Sequence, residues 1–169
     1  MLNQRLEKEL NKQLNKELFS AYLYMSMGAY FQSVDLLGFA NWMNIQVQEE
    51  LAHAQKFYDF INGRNGRVVL EAIEKPQTDW DSALTAFQDA LKHEQFITGS
   101  INDLVTISTE EKDYATQIFL QWFVTEQVEE ESSVTEVTNK LKLMKDAPGG
   151  MFMLDRELGL RQLTAPSAN

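Results

Sequence analysis

Cysteine is absent from the 169 residues, which removes thiolate-zinc sites, iron-sulfur clusters, disulfides and thiol nucleophiles together. Any metal must therefore sit on oxygen and imidazole, and only two histidines are present. Prolines number three and glycines eight, and long stretches contain neither, which excludes a turn-rich all-β design and favours helices. No apolar run reaches the ~18 residues that a membrane helix needs. Basic residues are outnumbered 15 to 25 by acidic ones, giving a formal net charge of −10. That balance argues against nucleic acid, whose phosphates require Lys and Arg, and against anionic membrane surfaces. Cations are the expected small partners, although acidity taken alone reads as a solubilised surface. The first ten residues are charged and helix-like rather than a basic patch followed by an apolar run, so the expectation is a soluble, cytoplasmic protein.

The length fits one domain able to bury a core without staples. Apolar residues recur at steps of three and four from Leu6 to Phe31, predicting a first helix. A turn over Ser33 to Leu37 leads to a second, Gly38 to Asn62, closed by Gly63 and the Asn65-Gly66 turn pair. Residues Arg64 to Thr78, with Val68-Val69-Leu70 and Pro76, show no helical period and are expected to form a long connection. A helix of ~26 residues spans ~39 Å and ~15 extended residues reach ~50 Å, so this segment can run the full height of a bundle. Asp79 is the expected cap of a third helix to about Ser108. After a Ser108-Thr109 turn with Glu110-Glu111, a fourth runs to about Lys145, ended by Pro148-Gly149-Gly150. Met151 to Leu163 is expected to form a short fifth helix, and Thr164 to Asn169 a disordered tail outside a domain of residues 1–163. The fold class is all-α: a four-helix bundle with a long crossover between helices two and three.

Alternate steps of four and three along the first helix give Leu10, Leu14, Glu17, Ala21, Tyr24, Gly28 and Phe31. On the second they give Phe39, Met43, Gln46, Glu50, His53, Phe57 and Phe60. The third yields Leu84, Phe87, Leu91, Glu94, Thr98, Ile101 and Val105; the fourth yields Thr116, Leu120, Phe123, Gln127, Glu130, Val134, Val137 and Leu141. Every seam thus carries a glutamate well inside its helix. Taken singly, each reads as a boundary residue reaching water, and His53 as a hydrogen-bonded core histidine. Taken together they converge, and four ionised carboxylates are not buried together unless a cation joins them, because each costs several kcal/mol to desolvate. Glu50 and His53 form a Glu-x-x-His pair at i and i+3, the ligand pair that recurs in di-iron bundles. Such mixed ligation suits iron or manganese, and zinc also binds it. Tyr24 falls on the same seam, either as a core aromatic or as a hydrogen-bond partner of a ligand. Glu126, Glu129 and Glu130 with Glu131 read first as a solvated charge run; combined with Glu49, they offer a further metal position as the alternative. His93 falls off the seam and is expected at the surface; Met25, Met27 and Met43 are expected as core filling.

Glu17 and Tyr24, the run Gln48-Glu49-Glu50-Leu51-Ala52-His53, Lys92-His93-Glu94-Gln95, and Phe119 through Glu130 resemble the ferritins, most of all the bacterial non-haem subgroup. The resemblance covers nearly the whole chain. It implies a hollow homo-oligomeric shell of 24 subunits that stores ferric oxyhydroxide, with a ferroxidase centre in each subunit using O2 or peroxide. It also implies a first iron held by Glu17, Glu50 and His53 and a second by Glu50, Glu94 and Glu130, with Gln127 beside the first and Tyr24 hydrogen-bonding within the centre. A third iron position would use Glu49, Glu126, Glu129 and Glu130. A symmetric bacterioferritin site would repeat Glu-x-x-His where this chain has Gln127 and Glu130. Its haem-ligating methionine would stand at Ala52, so no haem is expected. The competing readings are a storage or scaffold subunit without fast oxidation, and a metal-free helical partner protein, which needs the seam glutamates exposed.

Overall fold

The computed structural model describes residues 2–144, 147 and 149–163. Among the described residues five helices follow one another: α1 (Gln4–Ser33), α2 (Leu37–Gly63), α3 (Ala83–Glu110), α4 (Tyr114–Leu143) and α5 (Gly150–Leu158). None is long and apolar enough to cross a membrane. Asn3 caps α1 by accepting from the Arg5 amide at 2.7 Å, and a tight turn with Asp35 at φ 58° folds α2 back along α1.

The expected crossover is present. Asn11 donates to the Arg67 carbonyl at 3.0 Å and accepts from the Val69 amide at 2.7 Å; Asn15 accepts from the Glu71 amide, and Ser26 donates to the Gln77 carbonyl at 2.6 Å. These contacts climb α1 from Asn11 to Ser26, so the connection carries the chain from one end of the bundle to the other. Two antiparallel pairs result, α1 with α2 and α3 with α4. At one end Arg64 holds both carboxylate oxygens of Asp113, at 3.0 and 2.9 Å.

The ends of α1 and α2 fall within two residues of the sequence expectation; later boundaries differ for identifiable reasons. The cap of α3 is Ser82, not Asp79: Ser82 and Thr85 form a reciprocal capping box. Trp80 is buried beside Tyr30, 5.3 Å between ring centres, which keeps the chain extended past Asp79. Helix α3 continues to Glu110 because the buried Ser108 hydroxyl donates back to the Val105 carbonyl instead of forming a turn; Lys112 at φ 54° and the cap Asp113 make the turn. Helix α4 is followed to Leu143, with Lys145 outside the described residues. Helix α5 begins at Gly150 and stops at Leu158 rather than Leu163, where Asn41 takes up the carbonyls of Leu158 and Arg161 at 3.1 Å each. Pro148 and the tail 164–169 also lie outside the described residues.

The core has two apolar halves. One gathers Phe31, Phe39, Phe87 and Leu154, the other Leu6, Phe57, Ile61 and Phe123. Met27 and Met43 fill the first as expected, whereas Met25 is 53% exposed because it projects from the outer face of α1. Between the halves lies a buried polar layer.

Candidate metal centre

That layer holds the seam residues. Glu17 comes from α1, Glu50 and His53 from α2, Glu94 from α3, Gln127 and Glu130 from α4, and none is more than 4% exposed. Each sits near the middle of its helix, so packing the two antiparallel pairs brings all of them to one depth. A partner protein using exposed seam acids is thereby excluded. Burying such charges without compensation costs several kcal/mol each, so the layer demands a cation, protons or both.

Donor atoms of Glu17, Glu50 and His53 lie within 4.8 Å of one another. A second trio, His53, Glu126 and Glu130, meets the same limit. His53 Nδ1 stands 3.4 Å from Glu50 Oε2 and Nε2 3.7 Å from Glu126 Oε1, so the two edges of one imidazole serve the two trios. Trp122 and Phe123 pack edge-on to the ring, 5.4 and 6.0 Å away, and fix its plane.

The carboxylates are oriented by neutral donors. Gln13 donates to Glu17 Oε1 at 2.8 Å, and Glu17 Oε2 is buried with no N–H or hydroxyl donor among the described residues, its neighbour being the Glu50 carboxyl. Gln46 donates to Glu130 Oε2 at 2.8 Å. The Tyr24 hydroxyl donates to Glu94 Oε1, and Gln127 Nε2 lies 3.3 Å from Glu94 Oε2. Glu94 joins neither trio while those two donors hold it.

Electrostatics follow from burial. Desolvation raises the carboxyl pKa of Glu17, Glu50 and Glu130, takes Glu94 from 4.5 to about 8, and lifts Tyr24 well above its ordinary 10. Burial opposes charge on His53, but Glu126 and Glu50 outweigh it and hold the imidazole well above its ordinary value. Burial thus favours the protonated form of each of these carboxyls.

The outlying acids divide. Glu126 joins His53 and Glu130, whereas Glu129 is exposed and belongs to neither trio. Glu49 pairs with Arg161 at 2.8 Å, and burial raises its carboxyl to about 7 despite that cation. His93 is not a surface residue: it is half-buried, 2.7 Å from the Ser20 hydroxyl, and desolvation lowers it to about 4. Its burial arises because Phe19 and Tyr24 of α1 cover it.

Sequence reasoning missed Gln13, Ser100 and Arg161. Gln13 stands one helical turn before Glu17, a spacing that signals a possible partner; Ser100 and Arg161 carry no such signal. Gln46 and Thr98 were on the seams without an assigned role, and here they donate to Glu130 and to Glu131.

A family model for the ferritin-like domain matches residues 7–144. The chain belongs to the ferritin family. It is 40% identical over 161 residues to a bacterial non-heme ferritin of Staphylococcus aureus (strain USA300), covering 95% of this chain and 97% of that one. A bacterial non-heme ferritin of Bacteroides fragilis (strain 638R) is 39% identical, over 95% of this chain and all of its own. Among solved structures, an open pore ferritin from the archaeon Archaeoglobus fulgidus superposes with a TM-score of 0.95 at 48% identity, covering 96% of this ferritin and 100% of that chain. The bundle, its crossover and the short fifth helix are thus those of a ferritin, as the sequence resemblance implied.

Proposed function

We propose that this iron-storage ferritin subunit oxidises Fe(II) at the buried layer and passes the Fe(III) product into the cavity of a 24-subunit shell. The observation that carries this reading is the buried trio of Glu17, Glu50 and His53, with Glu17 Oε2 lacking an N–H or hydroxyl donor among the described residues. A buried carboxylate oxygen in that state is costly and is satisfied by a cation or by a proton that a cation displaces. One Fe(II) would be held by Glu17, Glu50 and His53, and a second by Glu50, Glu94 and Glu130. For the second, Glu94 exchanges its contacts with Tyr24 and Gln127 for the metal. The trio of His53, Glu126 and Glu130 supports a third position adjoining Glu49 and Glu129, with Glu130 common to both.

Iron is substrate and cargo here. Each Fe(II) gives one electron; a pair reduces O2, with two protons, to H2O2, and a further pair reduces H2O2 to water with two more. The protein positions the two ions and excludes bulk water, while its carboxylates stabilise the higher charge of the product. Protons displaced from the layer on loading are available to the reduced oxidant. The oxyhydroxide collects in the shell, and the protein carries no haem and works in the cytoplasm.

Mixing Fe(II) with the protein in air tests this. Wild type should generate Fe(III) absorbance far faster than buffer, and Glu50→Ala or His53→Ala should lose that advantage. A wild-type rate equal to buffer would leave a storage subunit without fast oxidation.

A further inference from the structure

Glu17 is held by a chain of polar side chains that reaches the surface. Gln13 is 1% exposed and donates through Nε2 to Glu17 Oε1 at 2.8 Å. The Ser100 hydroxyl of α3 donates to Gln13 Oε1, and the half-buried Lys16 ammonium donates to the Ser100 oxygen. Lys16 also lies 5.2 Å from the centre of the Phe96 ring.

The order of donors is forced. A lysine ammonium only donates, so the Ser100 proton must go to the remaining acceptor, Gln13 Oε1. With its oxygen committed, Gln13 can turn only its NH2 toward Glu17. An amide N–H does not relay protons in the manner of a hydroxyl, so the chain fixes orientation rather than conducting charge. It ties one oxygen of Glu17 and leaves the other buried and free in the trio with Glu50 and His53.

We propose that Gln13, set by Ser100 and Lys16, is the positioning residue that presents Glu17 Oε2 to the metal and thereby sets the affinity of this half of the centre. The proposal rests on the reading that the trio holds a divalent ion. When an ion is bound, Glu17 is an ionised ligand and the Gln13 bond to it is charge-assisted, stronger than in the metal-free centre. Outer partners of metal ligands contribute roughly 10–100-fold to affinity.

The test is anaerobic titration of the whole protein with Co(II), followed by its visible absorption bands, with a thermal melt of every variant. Gln13→Met, which keeps volume but loses the donor, should weaken the first equivalent roughly 10–100-fold and alter its band shape, leaving later equivalents unchanged. Ser100→Ala should act in the same direction, and Ser100→Thr, which keeps the hydroxyl, should restore wild-type binding. A folded Gln13→Met with wild-type affinity and spectrum overturns the proposal; should that variant not fold, Ser100→Ala decides by the same criteria. His53→Ala is the control: if it equals wild type while both bind Co(II), the metal reading of the trio falls, a result distinguishable from failure of Gln13 alone.

Discussion

Loading the centre with Fe(II) should expel protons, because the metal-free layer holds them. Glu94 has a pKa of about 8, so at pH 7 it is about nine-tenths protonated, and freeing it costs about 1.4 kcal/mol. Burial raises Glu50 well above its ordinary value, and Glu126 and Glu50 raise His53 against its burial, so both groups favour their protonated forms in the absence of an ion. Filling both iron positions engages all three groups and should displace about two protons per subunit, so the product of the two affinities should rise up to about 100-fold per pH unit between pH 6 and 7, about 10-fold for each ion. Anaerobic calorimetric titration in two buffers of different ionisation enthalpy counts the protons, and repeating it across pH gives the slope. Heats that do not depend on the buffer, with affinity flat across pH, would refute the reasoning. They would mean that the carboxylates are already ionised when the metal arrives, or that it binds elsewhere.

Stability of the metal-free protein should fall as pH rises from 5 to 8. A carboxyl with a raised folded pKa costs nothing below its unfolded value and its full penalty above the folded one, as for Glu49 moved from 4.5 to about 7. His53 acts in the same sense, its contribution being complete below its ordinary 6.5 and lost as pH rises through the higher folded value. A melting temperature that climbs over this range contradicts both. Glu50→Gln should stabilise the metal-free protein while abolishing rapid oxidation, because the uncharged amide removes a desolvation cost together with a shared ligand; a coincident loss of stability and activity would point to a structural role. Gly38→Ala should lower the melting temperature substantially, since an added Cβ would stand 1.6 Å from the Asp155 carbonyl oxygen and displace α5; an unchanged melt would refute that close docking.

The helices and their seams were legible because a helix buries residues at a fixed period, and four acids at that period with one Glu-x-x-His leave few chemistries open. The crossover was legible from the missing period and from reach. Boundaries were less so: Asp79 is as good a cap by type as Ser82, and only the burial of Trp80 against Tyr30 decides between them. His93 looked exposed by phase, yet the covering rings come from α1, outside its own helix. Ser100 and Arg161 reach their partners across elements, Ser100 to Gln13 and Arg161 to Glu49, and no local spacing marks such pairs. Glu94 shows the other limit. Its seam position was plain, but its contacts with Tyr24 and Gln127 come from α1 and α4, and only the side-chain geometry reveals them.

Anomalous scattering at the iron edge, from crystals soaked anaerobically with Fe(II), tests the central claim most directly. Two peaks inside the bundle should appear, one among Glu17, Glu50 and His53 and one beside Glu94 and Glu130. Iron signal confined to surface acids, with the buried layer empty, would contradict it.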